Sequence, residues 1–119
     1  MKRNQPERAL QRAVAEFLAR ALPPDAIFSA LPGGDGKVTL APGYRSGLSD
    51  MIVVYRGEAF FIELKSKTGR VSKEQIAFLD SVSRAGAHHM VCRSVEDVES
   101  FLRDFGKIPL RARTVARAA

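Results

Sequence analysis

Residues 50–65 read Asp-Met-Ile-Val-Val-Tyr-Arg-Gly-Glu-Ala-Phe-Phe-Ile-Glu-Leu-Lys. Met51 to Tyr55 and Ala59 to Lys65 are rich in Val, Ile and Phe, the residue types that fit a pleated, buried surface, and Arg56-Gly57 between them is a tight-turn signal. The stretch predicts an antiparallel hairpin. Side chains alternate across a strand, so Glu63 and Lys65 point to the same face, while Asp50 opens the neighbouring strand. Pairing through the turn sets Asp50 opposite either Glu63 or Lys65. Two carboxylates and an ammonium therefore meet at one end of the hairpin.

Working outward from the hairpin, Leu10, Val14, Phe17, Leu18 and Ala21 share one helical face. Pro6 suits the first turn of that helix and Pro23-Pro24 ends it. Ala26 to Leu31 reads as a short strand. The Gly- and Pro-rich stretch from Pro32 to Ser49 reads as a loop, with a strand piece at Lys37 to Leu40. After the hairpin, Val71 to Arg84 predicts a second helix with Ser72 as N-cap and Gln75, Leu79, Val82 and Gly86 on one face. Ala87 to Cys92 predicts a strand reached by a crossover. Ser94 is the expected N-cap of a third helix, with Asp97 standing in for the capping-box Glu. Val95, Val98, Leu102 and Phe105 would form its inner face and Gly106 its end. The order α, β, loop, β, β, α, β, α gives an α/β fold, a mixed central sheet flanked by helices with an extra C-terminal helix. Residues 1–106 form the domain. Residues 107–119 carry Lys107, Arg111, Arg113 and Arg117 and no acid, which suits a solvated basic tail, an arm on a phosphate backbone, or a segment ordered by a partner subunit.

The chain has 119 residues, 45% of them hydrophobic and 27% charged, enough for one compact domain and against wholesale disorder. No apolar run is long enough to cross a bilayer, so no membrane partner is expected, and no apolar segment follows the charged start as in a secretory leader. A single cysteine, Cys92, forms no internal disulfide, and a cytoplasmic setting is the default expectation. Nineteen Lys and Arg against thirteen Asp and Glu give a net charge of +6, which favours polyanionic partners such as nucleic acid.

Glu-x-Lys at a strand end is by itself an ordinary salt bridge. Adding Asp50 changes the chemistry. Two carboxylates a few ångströms apart repel, and a divalent cation relieves the repulsion. Hard oxygen ligands suit Mg²⁺, which takes one or two carboxylates together with waters and a phosphate. Such an ion polarises a phosphodiester and activates water, with Lys65 placed to orient that water or neutralise developing charge. Glu7 shares the inner face of the first helix and Gln75 that of the second, so both aim at the same hairpin end, whereas Glu16 points outward.

Taken together, Glu7-x-x-Leu10-Gln11, Gly47-Leu48-Ser49-Asp50, Ile62-Glu63-Leu64-Lys65-Ser66 and Ser72-Lys73-Glu74-Gln75 resemble the PD-(D/E)xK nuclease superfamily, and most of all its VRR-NUC branch, the virus-type replication-repair nucleases. The likeness covers about residues 7 to 103. It implies a restriction-endonuclease-like αβββαβ core. It also implies Mg²⁺, or Mn²⁺ in its place, held by Asp50, Glu63 and the backbone carbonyl of Leu64, with Lys65 catalytic and Glu7 and Gln75 supporting. Stand-alone members of this branch are homodimers linked to cutting branched DNA such as Holliday junctions. The expected activity is thus a Mg²⁺-dependent DNA endonuclease. A flap or restriction-type nuclease with the same site and a non-catalytic nucleic-acid-binding module are the alternatives. Lys37, Tyr44, Arg45, Lys67 and Lys73 are the expected DNA contacts. One departure stands out. The branch usually has Gly-x-Pro-Asp, and Ser49 replaces the proline here. Proline presets the chain direction but supplies no ligand, so any difference is expected in the geometry at the start of the strand.

Two other motifs are set aside. Pro32-Gly33-Gly34-Asp35-Gly36-Lys37 fails the phosphate-loop pattern, with Leu31 at the first glycine and Val38 at the Ser/Thr position. His88, His89 and Cys92 lie on one strand and do not converge on a tetrahedral zinc.

Overall fold

The computed structural model describes residues 5–32, 42–43 and 45–114. The proposed strand piece at Lys37 to Leu40 and the end of the basic tail lie outside them. Helix α1 (Gln5–Ala21) leads into strand β1 (Ala26–Ala30). Strands β2 (Met51–Tyr55) and β3 (Glu58–Leu64), helix α2 (Lys73–Arg84), strand β4 (His88–Cys92) and helix α3 (Val95–Ser100) follow, and a single π turn (Phe101–Phe105) continues α3. The sheet order is β1-β2-β3-β4. The first two pairings are antiparallel, and β3 and β4 run parallel because α2 carries the chain back between them.

The hairpin forms as its sequence predicts. Tyr55 pairs with Glu58 across a two-residue turn in which Arg56 (φ 47°) and Gly57 (φ 82°) both take positive φ, the condition for a type I′ turn. Arg56 accepts that conformation beside an ion pair with Asp25 at 2.8 Å.

Each face of the sheet buries its own cluster. Val14, Phe17 and Leu18 of α1 pack on Met51, Val53, Phe60, Ile62 and Leu64 together with Val98, Phe101 and Leu102. Phe78, Leu79 and Val82 of α2 cover the other face, against Phe61 and Val91. The strict alternation along β3 places Phe60, Ile62 and Leu64 toward α1, and Phe61 and Glu63 toward α2.

The third helix departs from expectation at its end. Phe101 is buried and Phe105 is 60% exposed, stacked on Phe101 and edge-on to His88. The π turn accounts for this. Gly106 N–H donates to Phe101 O, five residues back, so the turn holds one residue more than an α-helix and rotates the following side chains off the inner face. Gly106 does not end the helix by adopting a left-handed conformation; Lys107 does so (φ 58°). Glycine is required at 106 because a Cβ there would lie 2.8 Å from the Phe60 ring. At the other end of α3, Ser94 caps as expected, accepting from Asp97 N–H at 3.0 Å, but the Asp97 carboxylate takes the N–H of Arg93, not that of the cap.

The chain after Gly106 is not a solvated tail through Thr114. Ile108 is 1% exposed, and Leu110 and Ala112 pack against the core. Arg111 N–H donates to Ala21 O at 2.7 Å, and Thr114 and Arg103 converge on the Glu99 carboxylate. Burial alone would raise the Glu99 pKa, but these donors outweigh it and hold the group below its ordinary value.

Candidate active site

Register builds the centre of the site. Met51 pairs with Ile62, so the next position outward sets Asp50 opposite Glu63, one of the two partners the sequence allows. Asp50 N–H donates to Ile62 O at 3.0 Å and Asp50 O accepts from Leu31 N–H at 2.8 Å. Ser49, at the position where proline is usual, is buried, and the strand beyond it nevertheless starts in register. The Asp50 carboxylate Oδ2 accepts the Leu64 N–H at 2.7 Å, which sets it against the peptide whose carbonyl was expected to join it in holding a metal.

Glu63 is 1% exposed, the most deeply buried acid of the chain's described residues. Its Oε2 accepts from Gln75 Nε2 at 2.8 Å and lies 3.7 Å from Lys65 Nζ. Lys65, 9% exposed, is held at the strand end by its N–H bond to Cys92 O at 3.0 Å. Gln75 serves two ends at once. Its Oε1 accepts the Ser72 N–H at 2.8 Å while Ser72 Oγ accepts the Gln75 N–H at 3.1 Å, a reciprocal capping box. The amide nitrogen left over is the one that reaches Glu63. The α2 N-terminus is brought to this place by Gly47 (φ 78°), whose missing Cβ would otherwise sit 2.1 Å from Glu74 O.

Glu7 enters from α1, 7% exposed, with Oε2 accepting the Ser66 N–H at 3.3 Å. The loop after Lys65 wraps this carboxylate closely, since a Cβ on Gly69 would lie 2.6 Å from Glu7 Oε2. Arg93 clamps the same loop from outside, donating through Nη1 to Ser66 O at 2.6 Å and Gly69 O at 2.9 Å.

The structure thus gathers Glu7, Asp50, Glu63, Leu64, Lys65 and Gln75 at one sheet end. It does not gather all the expected DNA contacts. Arg45 is exposed but committed to α2, donating to Ser81 Oγ at 2.8 Å and lying over the Phe78 ring. Lys67 and Lys73 are exposed beside the site, while Lys37 and Tyr44 lie outside the described residues. Gly69 and Arg93 were not found from sequence. The turn-like Lys67-Thr68-Gly69 was a signal for the glycine, but nothing marks an arginine at a strand end as a clamp on a loop more than twenty residues away. The His88–His89–Cys92 stretch forms no metal site. His88 meets Glu58, His89 meets Ser83, and burial pushes the Cys92 thiol up to about 12.

Among the described residues no group of three His, Cys, Asp and Glu side chains could hold a metal. What the site does offer is two hard carboxylate donors, Asp50 and Glu63, facing each other across the hairpin at one end of the sheet. That donor set suits a cation that takes few protein ligands and fills the rest of its shell with water and phosphate oxygen, as Mg²⁺ does.

A mixed sheet between helices, with Asp, Glu and Lys at the end of its central hairpin, defines a nuclease-type fold. Two solved structures share it. One, described as a VRR_NUC domain, is 22% identical with a TM-score of 0.61, covering 86% of this chain and 99% of its own. The other, a VRR_NUC domain protein, is 18% identical with a TM-score of 0.72, covering 90% and 93%. The family model of the VRR-NUC domain matches residues 4–96, and the chain belongs to the VRR-NUC family. A comparison with proteins of curated function returned no match.

Proposed function

We propose that the protein is a divalent-metal-dependent DNA endonuclease, acting on branched DNA as a homodimer. The observation that supports this best is the pairing of Asp50 with Glu63 across the hairpin, with Lys65 Nζ 3.7 Å from Glu63. Asp50, Glu63 and the Leu64 carbonyl would hold Mg²⁺ or Mn²⁺, which supplies a polarised phosphodiester and an acidified water when bound. Lys65, its ammonium 3.7 Å from Glu63, would neutralise charge on the reacting phosphate as the phosphorus–oxygen bond breaks. Gln75 orients Glu63, and Glu7 ties the loop that follows Lys65. The net charge of +6 draws the polyanion to the surface. No helix among the described residues is long and apolar enough to cross a membrane.

The test is cleavage of end-labelled linear duplex, flap, fork and four-way junction with Mg²⁺ or Mn²⁺ and with chelator. Cutting is expected with the metals only, and most strongly on the branched substrates. Lys65→Ala should lower the rate by about 10²-fold or more with an unchanged melting curve, the scale on which transition-state charge contacts operate. A Lys65→Ala protein as active as the original sinks this mechanism, and equal rates on every substrate sink the branched-DNA preference.

A further inference from the structure

On the α1 side of the sheet a groove of about 360 Å³ runs between α1 and β1. Arg8, Gln11 and Arg12 form its upper wall, at helical positions i, i+3 and i+4 and hence on one stripe. Phe28 and Ala30, two apart on β1, form the opposite wall, and Met51 lies at its base. No acid lines it. Two facts connect it to the catalytic centre. Met51 directly follows Asp50, and Leu31, next to Ala30, donates its N–H to Asp50 O. Arg8 directly follows Glu7. The groove therefore begins at the sheet end that carries Asp50, but on the α1 face, whereas Glu63 and Lys65 lie on the α2 face, so a bound strand would pass around that end to reach them.

The two guanidinium groups are unlike most of their neighbours in the chain. Arg45, Arg56, Arg84, Arg93 and Arg103 are each tied to a side-chain or backbone oxygen. Arg8 and Arg12 are exposed and have no such tie to any described residue. Two uncommitted guanidinium groups one helical turn apart suit successive phosphates, and a half-buried phenyl ring opposite them suits a sugar or base. A half-buried ring can stack only on a base that is unpaired, which favours a single strand over a double helix here.

We propose that this groove receives an unpaired nucleotide of the strand being cut, with Arg8 and Arg12 on its phosphates and Phe28 against its base or sugar. The proposal rests on the nuclease reading and deepens it. A strand that must leave the helix to enter the groove explains in physical terms why forks and flaps, which carry unpaired strand at the branch, would be preferred to linear duplex.

Binding measured without metal separates the two readings. Fluorescence anisotropy in chelator would compare a labelled unstructured single strand, a fork and a blunt duplex. The proteins would be the full chain, Arg8→Ala/Arg12→Ala and Phe28→Leu, each checked for its melting temperature. The double arginine variant should bind single strand and fork about tenfold more weakly or worse. Its log–log salt slope on single strand should flatten by about 1.4, the value for two lost phosphate contacts. Phe28→Leu keeps an apolar wall without a ring and should weaken single-strand binding several-fold at an unchanged salt slope. Blunt duplex should bind all three alike. Equal weakening on blunt duplex, or no weakening at all, overturns the proposal. A chain that cuts no DNA but shows these losses keeps the groove and loses the nuclease reading. A chain that cuts normally with both variants silent keeps the nuclease and loses the groove.

Discussion

Gln75 shows how much of this site hangs on single side chains. One amide closes the capping box of α2 through its oxygen and holds Glu63 through its nitrogen. Replacing it by alanine removes both bonds. The Ser72 N-cap on the backbone N–H of position 75 survives, and the lost bond to the Ser72 N–H is worth about 0.5–1.5 kcal/mol, so Gln75→Ala should melt a few degrees lower by calorimetry. Metal-dependent cutting should fall further than that stability loss explains, because the Glu63 carboxylate then loses the amide that orients it. A variant that melts lower yet cuts at the original rate would show that the amide matters to the helix alone. At this scale the sequence was legible where strand alternation governs. Glu63 and Lys65 share a face by period two, and the turn residues Arg56 and Gly57 limit the partner of Asp50 to a choice of two. Which of the two depended on the φ values of the turn, which fix the register. Gly69 and Arg93 were illegible because their reasons are other residues. Gly69 makes room for the Glu7 carboxylate, and Arg93 holds carbonyls of the loop around it.

At the scale of elements, the strands, the crossover through α2 and the inner face of α1 follow from periodicity and turn signals. The end of α3 does not. Helical spacing from Val98 and Leu102 carries on to Phe105, and the extra residue in the π turn swings that side chain off the inner face, while Phe101, three residues after Val98, stays on it. Such a turn is chosen by packing, here by Phe101 meeting Phe60 edge to face with ring centres 5.7 Å apart and by Gly106 passing close to the same ring. The segment from Lys107 to Thr114 was illegible for a related reason. Its anchors are Ile108, Leu110 and Ala112, backbone bonds and the Glu99 carboxylate, and three alternating apolar residues among Pro109, Arg111 and Arg113 make too short a period to outweigh the basic composition. The contrast between the two phenylalanines is measurable. Phe101→Ala empties a buried site and should cost about 3–5 kcal/mol in denaturant unfolding. Phe105→Ser should stay within about 1 kcal/mol, since exposed positions carry little. Large losses at both positions would mean that α3 ends as a regular α-helix.

Each chain carries one cluster of Asp50, Glu63 and Lys65, and under the proposed mechanism one such cluster would cut one strand at a time. Resolving a four-way junction cleanly requires two incisions placed symmetrically, and two-fold pairing of identical chains supplies this without any second domain. Size follows directly. The particle in solution should have twice the 13.0 kDa mass of the chain by light scattering. Pairing also predicts a product pattern that a monomer cannot give. On a supercoiled plasmid with an extruded cruciform, the intact protein should produce linear DNA with little nicked circle. Mixed with excess Lys65→Ala chains and allowed to exchange, most intact subunits would sit beside an inert one, so each encounter would cut a single strand and nicked circle should accumulate. If the inert chains only lower the rate and the ratio of linear to nicked product stays fixed, the two cuts are not made by one dimer, and the symmetric part of the proposal fails while the chemistry at Asp50, Glu63 and Lys65 stands.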